Sequence, residues 1–386
     1  MRAPAWPMDL QVAEQGRWDW LLLGLVAALS LFGVVAVYSA SIAYAHTQFG
    51  FEAHYLLRQV FYLGVGATCM AVLCHWPMES WRRLTPLLLG LAFVLLVLVL
   101  IPGIGHVANN AARWLSFGPI RFQPSEAAKL AWLMYLCLQI ERCQADPKRA
   151  GERLFTALAV LVLMALLLLA EPDFGSVAVL GGVTWLLLLL GGVRLRALLG
   201  CALLGCVVLR QMVVSEDYRL ARVQGFLDPF ADPFGDGYQL VQSLIAFGRG
   251  GWSGTGLGAS VQKLLYLPEA HTDFILAIVA EELGALSVLA LIGLFTALTL
   301  RCLQIGHRCI QAGQTYAGLL ASGVGLLVGM QAFLNMAVNM GSLPTKGLTL
   351  PLISYGGSSM VLTLIGLGLV LRADHERRAG RQAAGW

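Results

Sequence analysis

Residues 261–284 read VQKLLYLPEAHTDFILAIVAEELG, and they join a polar segment to an apolar one. The polar part ends with the residues PEAHTD at 268–273. An apolar run long enough to cross a bilayer starts immediately afterwards. The pattern predicts that the Asp273 carboxylate lies where water, lipid headgroups and the first turn of a membrane helix meet. A group in that position can reach a substrate that is half lipid and half polar.

The composition places the chain among polytopic membrane proteins. Apolar residues make up 58% of the 386 residues and charged residues only 12%, which is more apolar surface than a soluble domain of this length needs. We predict an all-α bundle of ten transmembrane helices in a membrane domain at 18–373, with a large loop at 215–271 before helix 8 and short tails at 1–17 and 374–386. The predicted spans are 18–45, 55–76, 84–101, 125–141, 154–170, 175–192, 197–214, 272–300, 313–341 and 356–372.

The distribution of Lys and Arg predicts the orientation of these helices. An even number of spans places both tails on one side, and most basic residues of the short connections fall on that same side. Because basic connections stay in the cytoplasm, we expect both tails to be cytoplasmic. The outward segments are then 102–124, 171–174, 215–271 and 342–355. The net charge of +4 is too small to favour a nucleic-acid partner.

Several cations nevertheless fall in the outward segments or close to them. They are Arg58, Arg113, Arg121, Lys129, Arg210, Arg219, Arg222, Arg249, Lys263 and Lys346. Any one of them could anchor a helix by reaching the headgroups. As a group, they favour a bound anion such as a lipid diphosphate.

Two readings of each acidic residue are open from position alone. Asp273 is either a first-turn acid stabilised by the helix dipole, with Thr272 as N-cap, or a general base at headgroup level. Glu269 is a second candidate acid. Glu281 and Glu282 fall inside an apolar run, where carboxylates are costly and have either a hydrogen-bonded structural role or a function.

Glu126 and Lys129 lie three residues apart in the sequence QPSEAAKL, so both fall on one face of a helix. One reading is an ion pair that fixes the helix. The other is that Lys129 reaches an anionic ligand while Glu126 orients it.

The sequence SLPTKGLTLPLISYGGSS at 342–359 is rich in Pro, Gly and hydroxyl residues. It is either a helix-breaking connector or a re-entrant loop with Lys346 at the rim of a covered cavity, because irregular backbone at membrane depth needs such cover. Gln331, Asn335 and Asn339 precede it on one helix face. Such a polar stripe more often joins helices than lines a path.

Four sequence blocks in this order resemble the SEDS family (shape, elongation, division and sporulation) over about 18–373. They are ARWLSFGPIRFQPSEAAKL at 112–130, EPDFGS at 171–176, the stretch from DPFGDGYQ to AEELG at 232–284, and LPTKGLTLPLISYGGSS at 343–359. Ala270 and Lys346 favour the division branch of the family over the elongation branch.

The resemblance implies a bacterial inner-membrane enzyme at the division septum that polymerises lipid II into glycan strands. It implies that Asp273 is the catalytic aspartate and that Glu126, Lys129 and Lys346 are important residues. It also implies a class B penicillin-binding transpeptidase of the FtsI type and other division proteins as partners.

Transfer of a sugar from a lipid diphosphate needs a base and positive charge, so Arg58, Arg113 and Arg222 join Lys129 and Lys346 as candidate diphosphate ligands. A divalent ion, Mg or Mn, would suit the diphosphate, although no ligand set is visible in the sequence. The alternative functions are a lipid II flippase, an elongation-type polymerase and a scaffold that recruits a transpeptidase.

Overall fold

The computed structural model describes residues 18–108, 111–118, 120–193, 225–235 and 237–383, with Gly200 and Gly205. These ranges form a mainly helical bundle. The helices are α1 (Trp20–Phe49), α2 (His54–Leu73), α3 (Met78–Leu100), α4 (Pro124–Ala145), α5 (Ala150–Ala170), α6 (Phe174–Leu190), α7 (Tyr238–Gly250), α8 (Ile275–Gln311), α9 (Thr315–Asn339) and α10 (Gly357–Ala383), with a 3₁₀ turn at Pro147–Arg149.

Seven of these helices, α1, α2, α3, α5, α8, α9 and α10, are long and apolar enough to cross a membrane. α6 is apolar but shorter, and α4 carries buried charged side chains that lower its hydropathy. Nine of the ten predicted spans therefore correspond to helices of the described chain. The predicted seventh span at 197–214 and the tail at 1–17 lie outside the described residues.

The outward segment at 102–124 contains a small antiparallel sheet that the sequence did not predict. Its strands are β1 (Gly105–Ala108), β2 (Ala111–Phe117) and β3 (Ile120–Phe122), in the order β1-β2-β3. His106 pairs with Trp114, and Leu115 pairs with Phe122. The sheet, which lies directly before α4, fixes the backbone of β2, and β2 carries Arg113.

The predicted span at 272–300 is a broken helix. Gly284 in α8 has φ 77° and ψ 179°, which only glycine adopts readily. The loop after α7 fills the break, since the Thr255 N–H donates to the Glu281 carbonyl at 2.9 Å and the Ala285 N–H donates to the Gly251 carbonyl at 2.9 Å. A Cβ on residue 284 would lie 2.4 Å from the Trp252 carbonyl oxygen, so the close approach also requires glycine.

Both intramembrane glutamates hold this loop against α8. Glu281 accepts hydrogen bonds from the Ser260 hydroxyl and from the Val261 N–H at 3.1 Å. Glu282 accepts from Lys263 Nζ at 2.7 Å and from the Ser39 hydroxyl. These contacts support the structural reading of both residues.

Residues 342–355 form a non-helical segment, buried at 350–354, that we call the 342–355 loop. It reaches the middle of α1, where a Cβ on Gly33 would lie 2.5 Å from the Leu352 carbonyl oxygen. Gln59 of α2 donates to the Ile353 carbonyl at 3.4 Å. Leu350 and Ile353 are buried. The geometry is that of a re-entrant loop covered by protein, which is one of the two alternatives that the sequence left open.

Candidate functional site

Asp273 lies immediately before α8, with a half-buried side chain. Its backbone carbonyl accepts hydrogen bonds from Asn335 Nδ2 and Asn339 Nδ2, each at 2.9 Å. The Ala277 N–H, near the start of α8, donates to Asn339 Oδ1 at 3.3 Å. Two asparagines of α9 therefore fix the backbone that carries the Asp273 carboxylate. Asn335 and Asn339 of the polar stripe therefore join α9 to the start of α8, as predicted, by holding the Asp273 backbone.

The predicted N-cap role of Thr272 is wrong. The N-cap residue of α8 is Phe274, and the Thr272 hydroxyl donates to Glu269 Oε2 at 2.7 Å. Thr272 lies too early in the chain to reach the first free N–H groups. Asn339 accepts from one of them instead, across the helix interface.

The Asp273 carboxylate and the Arg113 guanidinium flank the same point beside Gly347. A Cβ built on Gly347 would lie 3.1 Å from Asp273 Oδ2 and 3.8 Å from Arg113 Nη1. A side chain at residue 347 would therefore contact both the acid and the cation. The fold thus brings together two predicted site residues from distant sequence blocks.

Arg113 is held by the turn between α5 and α6. Its Nε donates to the Glu171 carbonyl at 3.0 Å, and its Nη2 donates to the Pro172 carbonyl. The same turn is stabilised by Asp173, which caps α6 through the Ser176 N–H at 3.0 Å. Backbone carbonyls orient the guanidinium without neutralising its charge.

The sequence reasoning missed Glu171. Its side chain is fully buried, and burial, reinforced by the negative charge of Asp173, raises its pKa to about 8. The signal was present in the sequence, because a carboxylate that directly follows a 21-residue apolar helix has few routes to water.

Lys346 precedes Gly347 in the 342–355 loop and is half-buried. Burial lowers the pKa of its ammonium, and no charged group contributes to that shift within the described part of the chain. A partly desolvated ammonium group is suited to an anionic ligand.

Glu126 and Lys129 form a buried ion pair at 2.8 Å in α4. Lys129 Nζ also donates to Gln331 Oε1 at 2.9 Å, and Gln331 Nε2 donates to the Thr349 carbonyl at 3.2 Å. Only 1% of Lys129 is exposed, so the contacts favour the helix-fixing reading over direct ligand contact. The pair connects α4 to α9 and to the 342–355 loop.

Arg58 of α2 lies close to the phenol of Tyr355, at the other end of the 342–355 loop. Tyr355 packs edge-on against Tyr55 at 4.8 Å between ring centroids, and Tyr55 packs against His271 at 4.5 Å. The described candidate residues therefore all adjoin this loop or an element that it contacts. Arg222 lies outside the described residues.

Comparison with known proteins gives a consistent match over nearly the whole chain. The family model FTSW_RODA_SPOVE, described as "Cell cycle protein", matches residues 19–379. A Legionella pneumophila protein named "Probable peptidoglycan glycosyltransferase FtsW" is 44% identical over 373 residues, covering 96% of this chain and 94% of that protein. A Nitrosococcus halophilus protein of the same name is 48% identical over 360 residues, covering 93% of each.

Solved structures share the fold. A chain described as "Structural coordination of polymerization and crosslinking by a peptidoglycan synthase complex" has a TM-score of 0.76 and 31% identity, covering 93% of this chain and 98% of that chain. The rod shape determining protein RodA of Thermus thermophilus has a TM-score of 0.69 and 30% identity, covering 93% and 97%. With the family model and these relatives in agreement, the chain belongs to the FtsW/RodA/SpoVE family of cell cycle proteins.

Proposed function

We infer that the chain is a peptidoglycan glycosyltransferase of the FtsW type that polymerises lipid II into glycan strands. Its support is the shared name of relatives that are 44–48% identical over nearly their full length, together with the likeness to a chain of a peptidoglycan synthase complex. The observation that carries the mechanism is the placement of the Asp273 carboxylate and the Arg113 guanidinium at one point beside Gly347.

We assign Asp273 as the general base. The 4-hydroxyl of the acceptor GlcNAc attacks the anomeric carbon of the donor sugar, and Asp273 accepts the hydroxyl proton. A new glycosidic C–O bond forms as the bond between that carbon and the lipid diphosphate breaks. The displacement inverts the anomeric carbon and needs no covalent enzyme intermediate. A positioned base contributes about 100- to 10,000-fold to such a step.

Arg113 and Lys346 stabilise the negative charge that develops on the departing diphosphate. Arg113 lies beside Gly347 together with the Asp273 carboxylate, and Lys346 is the residue before that glycine. Fixed cations act most strongly where charge develops. Arg presents a planar fork to phosphate, whereas Lys acts as a point charge. Arg58 is a candidate for the same role, because it lies close to Tyr355 at the other end of the 342–355 loop. Arg222 remains a candidate from its position in the sequence.

Glu126 and Lys129 support the site rather than bind substrate. Their pair holds Gln331, which in turn holds Thr349 of the 342–355 loop. Loss of the pair would release the segment that carries Lys346.

A divalent ion, Mg or Mn, would have to be held mainly by the substrate diphosphate. Within the described ranges, no group of three or more His, Cys, Asp or Glu side chains converges as a metal site. We therefore assign no step to a metal.

The proposed location is the bacterial inner membrane at the division septum, with both termini cytoplasmic and the Asp273 face periplasmic. The likeness to a chain of a complex that couples polymerisation to crosslinking supports a transpeptidase partner. We propose a class B penicillin-binding protein of the FtsI type, acting with other division proteins.

The test is lipid II polymerisation in detergent by the purified protein with its transpeptidase partner. Asp273→Asn should abolish glycan strands on a gel while thermal unfolding and partner binding stay unchanged. Glu269→Gln is the matched control, because Glu269 is an exposed acid four residues earlier. Full-rate polymerisation by Asp273→Asn would remove Asp273 as the base.

A further inference from the structure

Glu171 is a buried carboxyl group outside the machinery assigned above. Its side chain has no exposed surface, and neither carboxyl oxygen has a hydrogen-bond partner among the described residues. A buried carboxylate without a partner is strongly unfavourable, whereas a buried neutral acid is tolerated far better. The geometry alone therefore favours the protonated form.

Arg113 hydrogen-bonds the backbone carbonyl of Glu171 and does not hydrogen-bond its carboxyl group. The guanidinium donates to the carbonyls of Glu171 and Pro172, although a carboxylate is the stronger acceptor for an Arg fork. That choice is expected if the neighbouring carboxyl group is uncharged. Arg113 then keeps its full positive charge and its placement next to Asp273.

We propose that Glu171 is a positioning residue that acts in its uncharged form, so that Arg113 is directed at the reaction centre rather than captured by a carboxylate. The inference rests on the proposed glycosyltransferase function, in which Arg113 stabilises the departing diphosphate. Glu171 itself touches neither the point beside Gly347 nor the substrate.

The charges that act on Glu171 agree with this assignment. Asp173 lies on the same turn and raises the pKa of Glu171, and Arg113 from β2 lowers it. Burial is the largest cause and leaves the pKa at about 8, so the group is mainly protonated at neutral pH. As the pH rises through this value, the carboxylate forms and competes with the two backbone carbonyls for the Arg113 guanidinium.

Infrared spectroscopy tests the protonation state without using activity. The full-length protein at neutral pH should show the carbonyl stretch of a protonated carboxylic acid, and Glu171→Gln should remove that band. Glu269→Gln should leave it unchanged, because Glu269 is exposed. An identical spectrum in wild type and Glu171→Gln would overturn the proposal even if the enzyme polymerises lipid II as expected.

The second readout is the pH profile of lipid II polymerisation. Wild-type activity should fall as the pH rises through about 8, and Glu171→Gln, which resembles the neutral acid, should retain activity there. Glu171→Ala, which keeps the backbone carbonyl that Arg113 contacts and also lacks a carboxylate, should retain activity at alkaline pH as Glu171→Gln does. Burial also lowers the pKa of Lys346, so the deciding quantity is the difference in pH profile between wild type and Glu171→Gln.

The two readouts separate two kinds of failure. A protonated band with no difference in pH profile would overturn the positioning role of Glu171. Loss of all activity in wild-type protein under conditions that sustain the infrared band would instead count against the proposed glycosyltransferase function.

Discussion

Two groups of charged side chains differ in how their charges are matched. The first, the Asp19 cluster, consists of Asp19, Arg301, Asp374, Arg377 and Arg378, all buried. Arg301 Nη2 lies 2.5 Å and Arg378 Nη2 lies 3.1 Å from Asp19 Oδ2, and Arg377 lies 2.7 Å from Asp374. The second, the Asp273 site, consists of Asp273, Arg113 and Lys346, which are only half-buried.

In the cluster the charged side chains pair with one another, and in the site the Asp273 and Arg113 side chains both approach Gly347. In the cluster each aspartate is paired directly with arginine, which joins the start of α1 to the ends of α8 and α10. In the site, backbone carbonyls hold Arg113, and asparagines hold the backbone of Asp273. Buried charges that pair with one another indicate a structural role, and half-buried charges that backbone groups and asparagines position beside a glycine indicate a binding or catalytic one.

The largest effect should follow from breaking the cluster. Asp19→Asn keeps a side chain that can cap α1 but removes the charge facing Arg301 and Arg378. Removing one partner of a buried ion pair costs about 3–5 kcal/mol. Chemical unfolding in detergent should show that loss, and polymerisation per folded molecule should be unchanged.

Asp146→Asn is the matched control for this measurement. Asp146 forms a more exposed pair with Arg153 at 3.6 Å, so its removal should cost about 0–1 kcal/mol. Equal destabilisation by the two variants would mean that burial does not distinguish these ion pairs.

The next largest effect should be on the rate. Arg113→Ala should lower lipid II polymerisation about 100- to 1,000-fold, the usual effect of removing one fixed donor from developing charge. Arg113→Lys should not restore the rate, because an ammonium cannot reproduce the planar fork between two carbonyls. Arg121→Ala, on the exposed face of the neighbouring strand, should have a much smaller effect. A similar loss of rate in both alanine variants would indicate that the overall positive potential matters, rather than the position of the Arg113 guanidinium.

A smaller effect should separate placement from chemistry. Asn335→Leu removes a donor from the carbonyls of Asp273 and Leu348, and an unsatisfied buried group costs about 1–3 kcal/mol. The polymerisation rate should fall as well, since the Asp273 backbone loses one of its two donors. Gln314→Leu at the other end of α9 should change neither quantity, because the Gln314 amide oxygen has no partner among the described residues. A normal rate with Asn335→Leu would show that the site tolerates this loss.

The smallest expected effect is a shift in pH dependence. Burial lowers the pKa of Lys346, so its positive charge is lost at a lower pH than that of an exposed lysine as the pH rises. Lys346→Arg, which stays charged, should therefore extend polymerisation to more alkaline pH. The comparison is made in the Glu171→Gln background, where only Lys346 distinguishes the two proteins. Superimposable profiles would exclude Lys346 as the titrating cation.

The charged residues also show which features of the fold and of the candidate site can be predicted from the sequence. The apolar runs predicted the helices, because a hydrophobic stretch of spanning length is a local property. The blocks around Asp273 and Lys346 likewise identified the candidate site. The sequence left the roles of Glu126, Lys129, Glu281 and Glu282 open. Each of those roles depends on a partner from another part of the chain, such as Gln331 for Lys129.

Sequence alone therefore determined the class of the protein, the approximate helices and the acid most suited to act as a base. Tertiary structure decided which charged side chains pair with one another and which are positioned by backbone groups. It broke α8 at Gly284, brought Arg113 to Asp273 and buried Glu171 without a side-chain hydrogen-bond partner among the described residues. The physical reason is that hydropathy depends on neighbouring residues, whereas the energy of a buried charge depends on whatever the fold places beside it.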